Sequence, residues 1–330
     1  MPKLALIGVR PTKLFRNPDC GRTLQQGNPA CGTRAPAIPT DSPTDSGASG
    51  RLRRRSLTSR PNASSILSMV CLDEAGRGRR AVRLIAAPAN LAPWVEFFWI
   101  QVRRGAEQRP WRVVPDSCSH VIFSLSDGVP RFALVGSRTS FCDIDVSRRS
   151  ITVGARLRPG SVMHLAQCAA DTLTDGSFPM EAVFGLCGRE LAARMAEVSP
   201  RAALCELAGF LSARLLRCEP DLRIEAALRS ASSVDVAAAM LNVSLRTMRT
   251  RALQVTGLGP KRILRIHRLY RALQYGTGSR PAWSDVACRA GFADQAHMVR
   301  EFQSLLGNSP EQWRLRAAAD SFNTPRGALS

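Results

Sequence analysis

One seven-residue pattern is written twice near the end of this chain, and it limits the fold more than any other feature. The first copy is Ala238-Ala239-Met240-Leu241-Asn242-Val243-Ser244. The second is Ala287-Cys288-Arg289-Ala290-Gly291-Phe292-Ala293, at a constant offset of 49 residues. Each copy has a small residue where two helices must cross closely. Each supplies a turn residue that tolerates positive φ, Asn242 or Gly291. An apolar plug follows, Val243 or Phe292, and then a second helix begins. This is the pattern of a helix-turn-helix.

The flanking residues predict where the helices run. Leu222 to Leu228 forms a first helix, and Ser232 with Asp235 has capping-box spacing for the next. Val234, Ala237, Ala238 and Leu241 make the buried stripe of that helix. Ser244 is a good N-cap for a helix ending near Thr256, stopped by Gly257-Leu258-Gly259-Pro260. Lys261 to Tyr275 is a longer helix carrying Ile263, Leu264, His267 and Ala272. Pro281 precedes the second copy, and Asp294 to Leu306 is its second helix. Gly307-Asn308-Ser309-Pro310 repeats the Gly-x-x-Pro stop, and the tail after Arg316 reads as loose.

Charge separates the chain into three parts. The net charge is +20, but residues 86–230 carry 17 Lys+Arg against 15 Asp+Glu. Residues 1–85 carry 15 against 5, and residues 231–330 carry 14 against 6. A basic terminal domain suits a polyanion, through counterion release and steering. The ten cysteines and four histidines form no C-x-x-C pair and no zinc spacing. Scattered thiols fit a reducing compartment. No apolar run approaches the roughly 18 residues that span a bilayer. These features predict a cytoplasmic protein with no cofactor.

Residues 1–82 read as a disordered tail rich in Pro, Gly, Ser, Thr and Arg, with a charge run at Arg51 to Arg55. Two readings of it stand side by side: a basic arm that touches DNA, and a start placed too early, with Met69 as the initiator. From Arg83 to about Gly188 the texture is that of a small β-domain. Val113 to Ser117, Val121 to Leu125, Arg131 to Gly136 and Ile151 to Leu157 are short apolar-rich runs closed by turn residues. Trp94, Phe97, Phe98 and Trp99 are spaced as core aromatics, with a ligand cage as the other reading. From Arg189 to Arg217, Leu191, Met195, Ala203, Leu207, Phe210, Leu211 and Leu215 recur mostly at helical steps. This connector packs either on a second subunit or on its own domain.

Reading a major groove needs a helix with donors and acceptors on its exposed early residues. In the first copy Arg246, Thr247, Arg249 and Thr250 face away from Met248 and Leu253. In the second, Gln295, Ala296, His297 and Arg300 take the equivalent places, with Met298 and Phe302 inward. Arg grips guanine, Gln suits adenine, and Ala suits a thymine methyl; a good bidentate pair contributes about 1–3 kcal/mol of discrimination. Each Arg is equally suited to a phosphate, which positions without reading sequence. Two units on one rigid domain would meet groove faces about 34 Å apart.

These residues resemble the DNA-binding domain of the AraC/XylS family of bacterial transcription regulators. The match runs Val286-Ala287-x-x-Ala290-Gly291-Phe292-x-Asp294-Gln295-x-His297-Met298-x-Arg300-x-Phe302, then Gly307-x-x-Pro310-x-x-Trp313-Arg314. Ser244-x-Arg246-x-Met248, Gly257-x-x-Pro260 and Arg268-Leu269-x-x-Ala272 extend it. The resemblance implies an α+β chain with an all-α DNA-binding domain over residues 220–316, its two units joined by the helix of Arg268. It puts Arg246, Arg249, Thr250, Gln295, Ala296, His297 and Arg300 at the DNA. Thr250 stands where the family has a basic residue, Ala252 where it has a large apolar one, and Ala293 where it has a polar cap. Asp294 is placed to serve as that cap.

Pro115-Asp116, Val135-Gly136 and Val153 to Gly160 resemble the sensor region of many family members. That resemblance implies that the β-rich domain over residues 83–188 is cupin-like and serves sensing or dimerisation, with the helical pattern giving a connector over 189–219 and the loose composition a flexible tail over 317–330. Promoter DNA, RNA polymerase, a homodimer and an unnamed small-molecule effector are the implied partners, with no membrane. His120 and His164 alone make a poor metal pair. Set against this non-enzymatic regulator are an alkyl-transfer repair enzyme on the same domain and a non-specific DNA-coating protein.

Overall fold

The computed structural model describes residues 81–104, 110–145, 149–215, 221–276 and 281–320. The expectations for residues 1–80, with the Arg51 to Arg55 run and Met69, lie outside these residues. The β-rich part has eight strands: β1 Ala81–Ala86, β2 Val95–Arg104, β3 Pro110–Val113, β4 His120–Ser126, β5 Val129–Val135, β6 Cys142–Asp145, β7 Arg149–Leu157 and β8 Ser177–Pro179. β1, β2, β7, β4, β5 and β8 form one antiparallel sheet in that order, and β3 pairs with β6. The pairing is nested, β4 with β5, β3 with β6 and β2 with β7. A folded-over ribbon of this kind is a jelly roll, the cupin-like form that the sequence resemblance implied. The hairpin β4–β5 turns at Asp127 and Gly128, both at positive φ.

The two sheet faces are filled differently. Val95, Phe98, Val121, Phe123, Leu134, Val153, Ala155 and Leu157 join the helices in one apolar core. The opposite face carries Trp99 against Gly154, where any Cβ would meet the indole at 2.1 Å. Beside that pair a buried ionic cluster forms. Arg156 Nη2 donates to Asp116 Oδ1 at 2.9 Å and its Nη1 to Asp116 Oδ2, while its Nε donates to Glu96 at 2.7 Å. His120 Nε2 lies 2.9 Å from the same Asp116 oxygen. Burial alone would raise the Asp116 pKa, but Arg156 and His120 overcome it and hold it near about 2. His164 packs edge-on against Trp94 at 5.3 Å. Both histidines of the doubtful metal pair thus have structural partners, and no cluster of metal-binding side chains occurs among the described residues.

The helices that follow are α1 Ser161–Ala166, a 3-10 turn at Ala170–Leu173, α2 Met180–Phe184, α3 Leu186–Glu197 and α4 Pro200–Leu215. The helical pattern expected from Arg189 to Arg217 is carried by two helices, α3 and α4. Pro200 cannot continue a helix in its interior, but it opens one, and Val198 before it is extended. These helices are no free connector. Leu207, Leu211 and Leu215 are fully buried against the sheet, and each such side chain contributes about 1.5–3 kcal/mol.

The C-terminal part consists of α5 Arg223–Ser230, α6 Val234–Met240, α7 Leu245–Thr256, α8 Pro260–Tyr275, α9 Trp283–Ala290, α10 Gln295–Leu306 and α11 Pro310–Asp320. α11 continues four residues beyond the expected end of the domain at 316. Its core gathers Ile224, Leu228, Met248, Ile263, Leu269, Val286, Met298, Phe302 and Trp313 around α8. The cap of α6 is Ser233, whose Oγ accepts from Val236 N at 3.2 Å, one residue later than the predicted Ser232. Ala237 and Ala238 are buried as expected, while Val234 and Leu241 are only half-buried. At the end of the roll, Val114 enters this second core, so the two parts share packing.

Candidate nucleic-acid interface

The two turns share their backbone from the left-handed residue through the apolar plug. Asn242 has φ +51° and Gly291 φ +87°. The Val243 N–H donates to Ala238 O at 3.0 Å, and the Phe292 N–H donates to Ala287 O at 3.0 Å. The offset of 49 holds through the plug and then changes. Ser244 caps α7 by accepting from Thr247 N at 3.1 Å; Asp294 caps α10 by accepting from His297 N at 2.6 Å. From the caps onward the offset is 50 residues. The second turn is one residue longer, which is why Ala293 stands where a polar cap would be sought.

This register revises which residues correspond. Leu245 matches Gln295, Arg246 matches Ala296, Thr247 matches His297, and Thr250 matches Arg300. Arg249 therefore pairs with half-buried Val299 rather than with a second donor. Arg246, Arg249, Thr250, Gln295, Ala296 and Arg300 all lie exposed on the two helices. Arg246, Arg249 and Arg300 form no ion pair with any described residue. Thr247 and His297 turn toward their own caps. Thr247 Oγ1 is 2.9 Å from Ser244 Oγ, and the His297 ring packs edge-on against Phe292 at 5.4 Å. Leu245, at the head of α7, is 50% exposed. The sequence reading passed over it because an apolar side chain has no donor, and only the corrected register places it beside the others.

α8 yokes the two units. Its Arg265 Nε donates to Glu301 of α10 at 2.8 Å, and Arg268 lies 6.0 Å over the Phe292 ring. On its other side His267 Nδ1 is 3.4 Å from the Leu228 carbonyl of α5. Burial, reinforced by Arg229, lowers the His267 pKa to about 4, so this imidazole is neutral at physiological pH.

Two known families match this chain. Residues 237–316 match one described as Helix-turn-helix domain, and residues 83–179 match a Domain of unknown function (DUF6597). Among solved structures the chain is similar to the DNA-binding domain of AdpA, a global transcriptional factor crystallised in complex with a target DNA. Identity is 30%, with 32% of this chain and 90% of that one covered, at a TM-score of 0.27. It is also similar to ToxT from Vibrio cholerae O395, at 13% identity, 66% and 97% coverage and a TM-score of 0.36. No curated protein sequence matches the chain. The duplicated turn, capped twice and yoked by α8, defines a double helix-turn-helix regulator domain. Together with the helix-turn-helix match over residues 237–316, this is the DNA-binding domain that the resemblance to the AraC/XylS family of transcription regulators implied.

Proposed function

We propose that the protein is a sequence-specific DNA-binding regulator that lays α7 and α10 into successive major-groove faces of promoter DNA. One observation carries this reading: two matching turns present two helices whose Arg, Gln and Thr side chains are exposed, with Arg246, Arg249 and Arg300 in no ion pair among the described residues. Structural arginines find carboxylates, as Arg156 and Arg265 do here. Unpaired exposed arginines at the head of a reading helix suit phosphate and guanine. AdpA, similar over this domain, was crystallised with its target DNA. Leu245, Arg246, Arg249 and Thr250 are the first contact set, and Gln295, Ala296 and Arg300 the second, with Thr247 and His297 orienting the caps. RNA polymerase is the partner at the promoter, and the roll domain answers to an effector or pairs with a second copy.

The test begins by selecting duplexes from a random-sequence pool with the full chain. Arg300→Ala is then measured at fixed salt on the selected duplex and on random DNA. The expected loss is about 1–3 kcal/mol on the selected duplex only, as for a lost base contact. Equal losses on both duplexes would make Arg300 a phosphate contact. Failure to enrich any sequence would leave a non-specific binder.

A further inference from the structure

Among the described residues the roll domain touches the stop after each reading helix and the yoke between them, and the two stops are equivalent by the repeat. The stop after α7 is Gly257, with φ +78°. A Cβ there would lie 2.5 Å from both Ser137 Oγ and Thr174 Oγ1. Thr174 Oγ1 donates to the Gly257 carbonyl at 2.8 Å, and the Gly160 N–H donates to the Val255 carbonyl at 2.7 Å. The stop after α10 is Gly307, with φ +68°. A Cβ there would lie 2.5 Å from the Phe141 ring. Arg112 stacks on that ring at 4.5 Å, and its Nη1 donates to the Leu306 carbonyl at 3.2 Å and to Asn308 Oδ1 at 3.3 Å. The third place is the yoke between them. Tyr270 Oη donates to the Pro115 carbonyl at 2.6 Å, one residue before the Asp116 of the buried ionic cluster, and Arg262 Nη1 donates to the Thr139 carbonyl at 2.9 Å.

We propose that the roll domain sets the relative placement of the two reading helices by gripping both Gly-x-x-Pro corners and the yoke at once. The exposed heads of α7 and α10 point away from the grip, since the corners are the opposite ends of the same helices. The domain is thus a brace and leaves the reading faces clear. Glycine at each corner serves two needs, the left-handed cap and the close approach of the brace. A change inside the roll reaches DNA through the same contacts, by favouring one spacing of the readers over another. Arg112, Phe141 and Thr174 are positioning residues: they act through the two helices and touch no base. The proposal rests on the DNA-reading role assigned above.

The experiment uses the full chain and the duplex recovered from the random pool, together with each half of that duplex alone and versions with one base pair added between the halves. Arg112→Ala frees the Gly307 corner and Thr174→Val frees the Gly257 corner. Each is expected to bind the single halves as the unaltered chain does. Each should lose about tenfold on the two-part duplex, the size of effect usual for residues that couple distant sites. The penalty for the added base pair shrinks at the same time, and Thr174→Ser, which keeps the hydroxyl, restores it. Both variants keeping the original ratio of two-part to half-duplex affinity overturns the proposal. So does a loss of half-duplex binding in both, because the contacts then only keep the readers folded. No enriched duplex at all removes the DNA-reading role and this proposal with it; enrichment with unchanged ratios removes this proposal alone.

Discussion

The two helix-turn-helix units share a helix order and a left-handed turn residue and differ in what fills them. The second is built on aromatic side chains: Trp283, Phe292, Phe302 and Trp313. At the matching positions the first has Val234, Val243, Ala252 and Ile263. In the second unit Trp283 meets Phe302 edge-on at 6.0 Å and is covered by the Arg314 guanidinium at 3.8 Å. Trp283 Nε1 also donates to Glu311 Oε2 at 2.8 Å. The first unit borrows from the roll domain instead. α7 lies against α1 and the 3-10 turn, and Met163 and Val114 pack on the shared core. One turn design is thus stabilised in two ways, from within and by a neighbour.

The largest expected effect tests the self-sufficiency of the second unit. Phe302 is fully buried, and Phe302→Ala should cost about 3–5 kcal/mol of stability in urea unfolding. A cost below about 1 kcal/mol would show that this interior is not what holds the unit together.

The next concerns the yoke. His267 takes a proton near its ordinary 6.5 when unfolded but only near about 4 when folded. The unfolded chain therefore binds the proton first. Its contribution to stability is complete above pH 6.5 and lost as pH falls toward about 4. The loss is up to about 3 kcal/mol from this group. Urea unfolding at pH 7 and pH 4.5 measures it. His267→Gln should show a shallower decline, and an unchanged decline would clear His267 of the effect.

Smaller effects compare the two reading helices directly. Leu245→Ala should cost about 1 kcal/mol on the selected duplex, on the scale of a buried methyl or methylene. If Leu245 packs on a thymine methyl, as an apolar side chain at the head of a reading helix is suited to do, replacing that thymine by uracil should remove the same amount from the unaltered chain and nothing further from the variant. Additive losses would place Leu245 away from that methyl. Ser244→Ala and Asp294→Ala each lose one capping acceptor and should each cost about 1 kcal/mol in thermal unfolding. Only the Asp294 loss should shrink in high salt, since a carboxylate at a helix start is partly an electrostatic device.

What was legible in the sequence follows from how local each signal is. The turns, the cap at Ser244, the stop at Gly257 and the span of α7 and α8 depend on neighbours within a few residues, and they stand where the pattern put them. The runs at Val121 to Leu125, Arg131 to Gly136 and Ile151 to Leu157 did mark strands, while Val113 to Ser117 leaves only its first residue in β3, because Pro115 and the bend at Ser117 break the ladder. The cap at Ser233 was missed because adjacent serines offer the same hydroxyl, and packing chooses between them. The 50-residue offset was hidden because the repeat is constant through its most recognisable part and slips only at Ala293. The grip is the least legible feature. It joins Arg112, Phe141 and Thr174 to corners more than 80 residues away, and no local pattern announces such a contact. The same holds for Asp116 and Arg156, which meet across 40 residues.

Whether the two yoked helices read one duplex at successive turns is decided by base-by-base interference footprinting of the full chain on the selected duplex. Two patches of major-groove contact are expected on one face, about 10 base pairs apart, with Arg300→Ala erasing one patch and Arg246→Ala weakening the other. A single patch, or two patches on opposite faces, would contradict that reading.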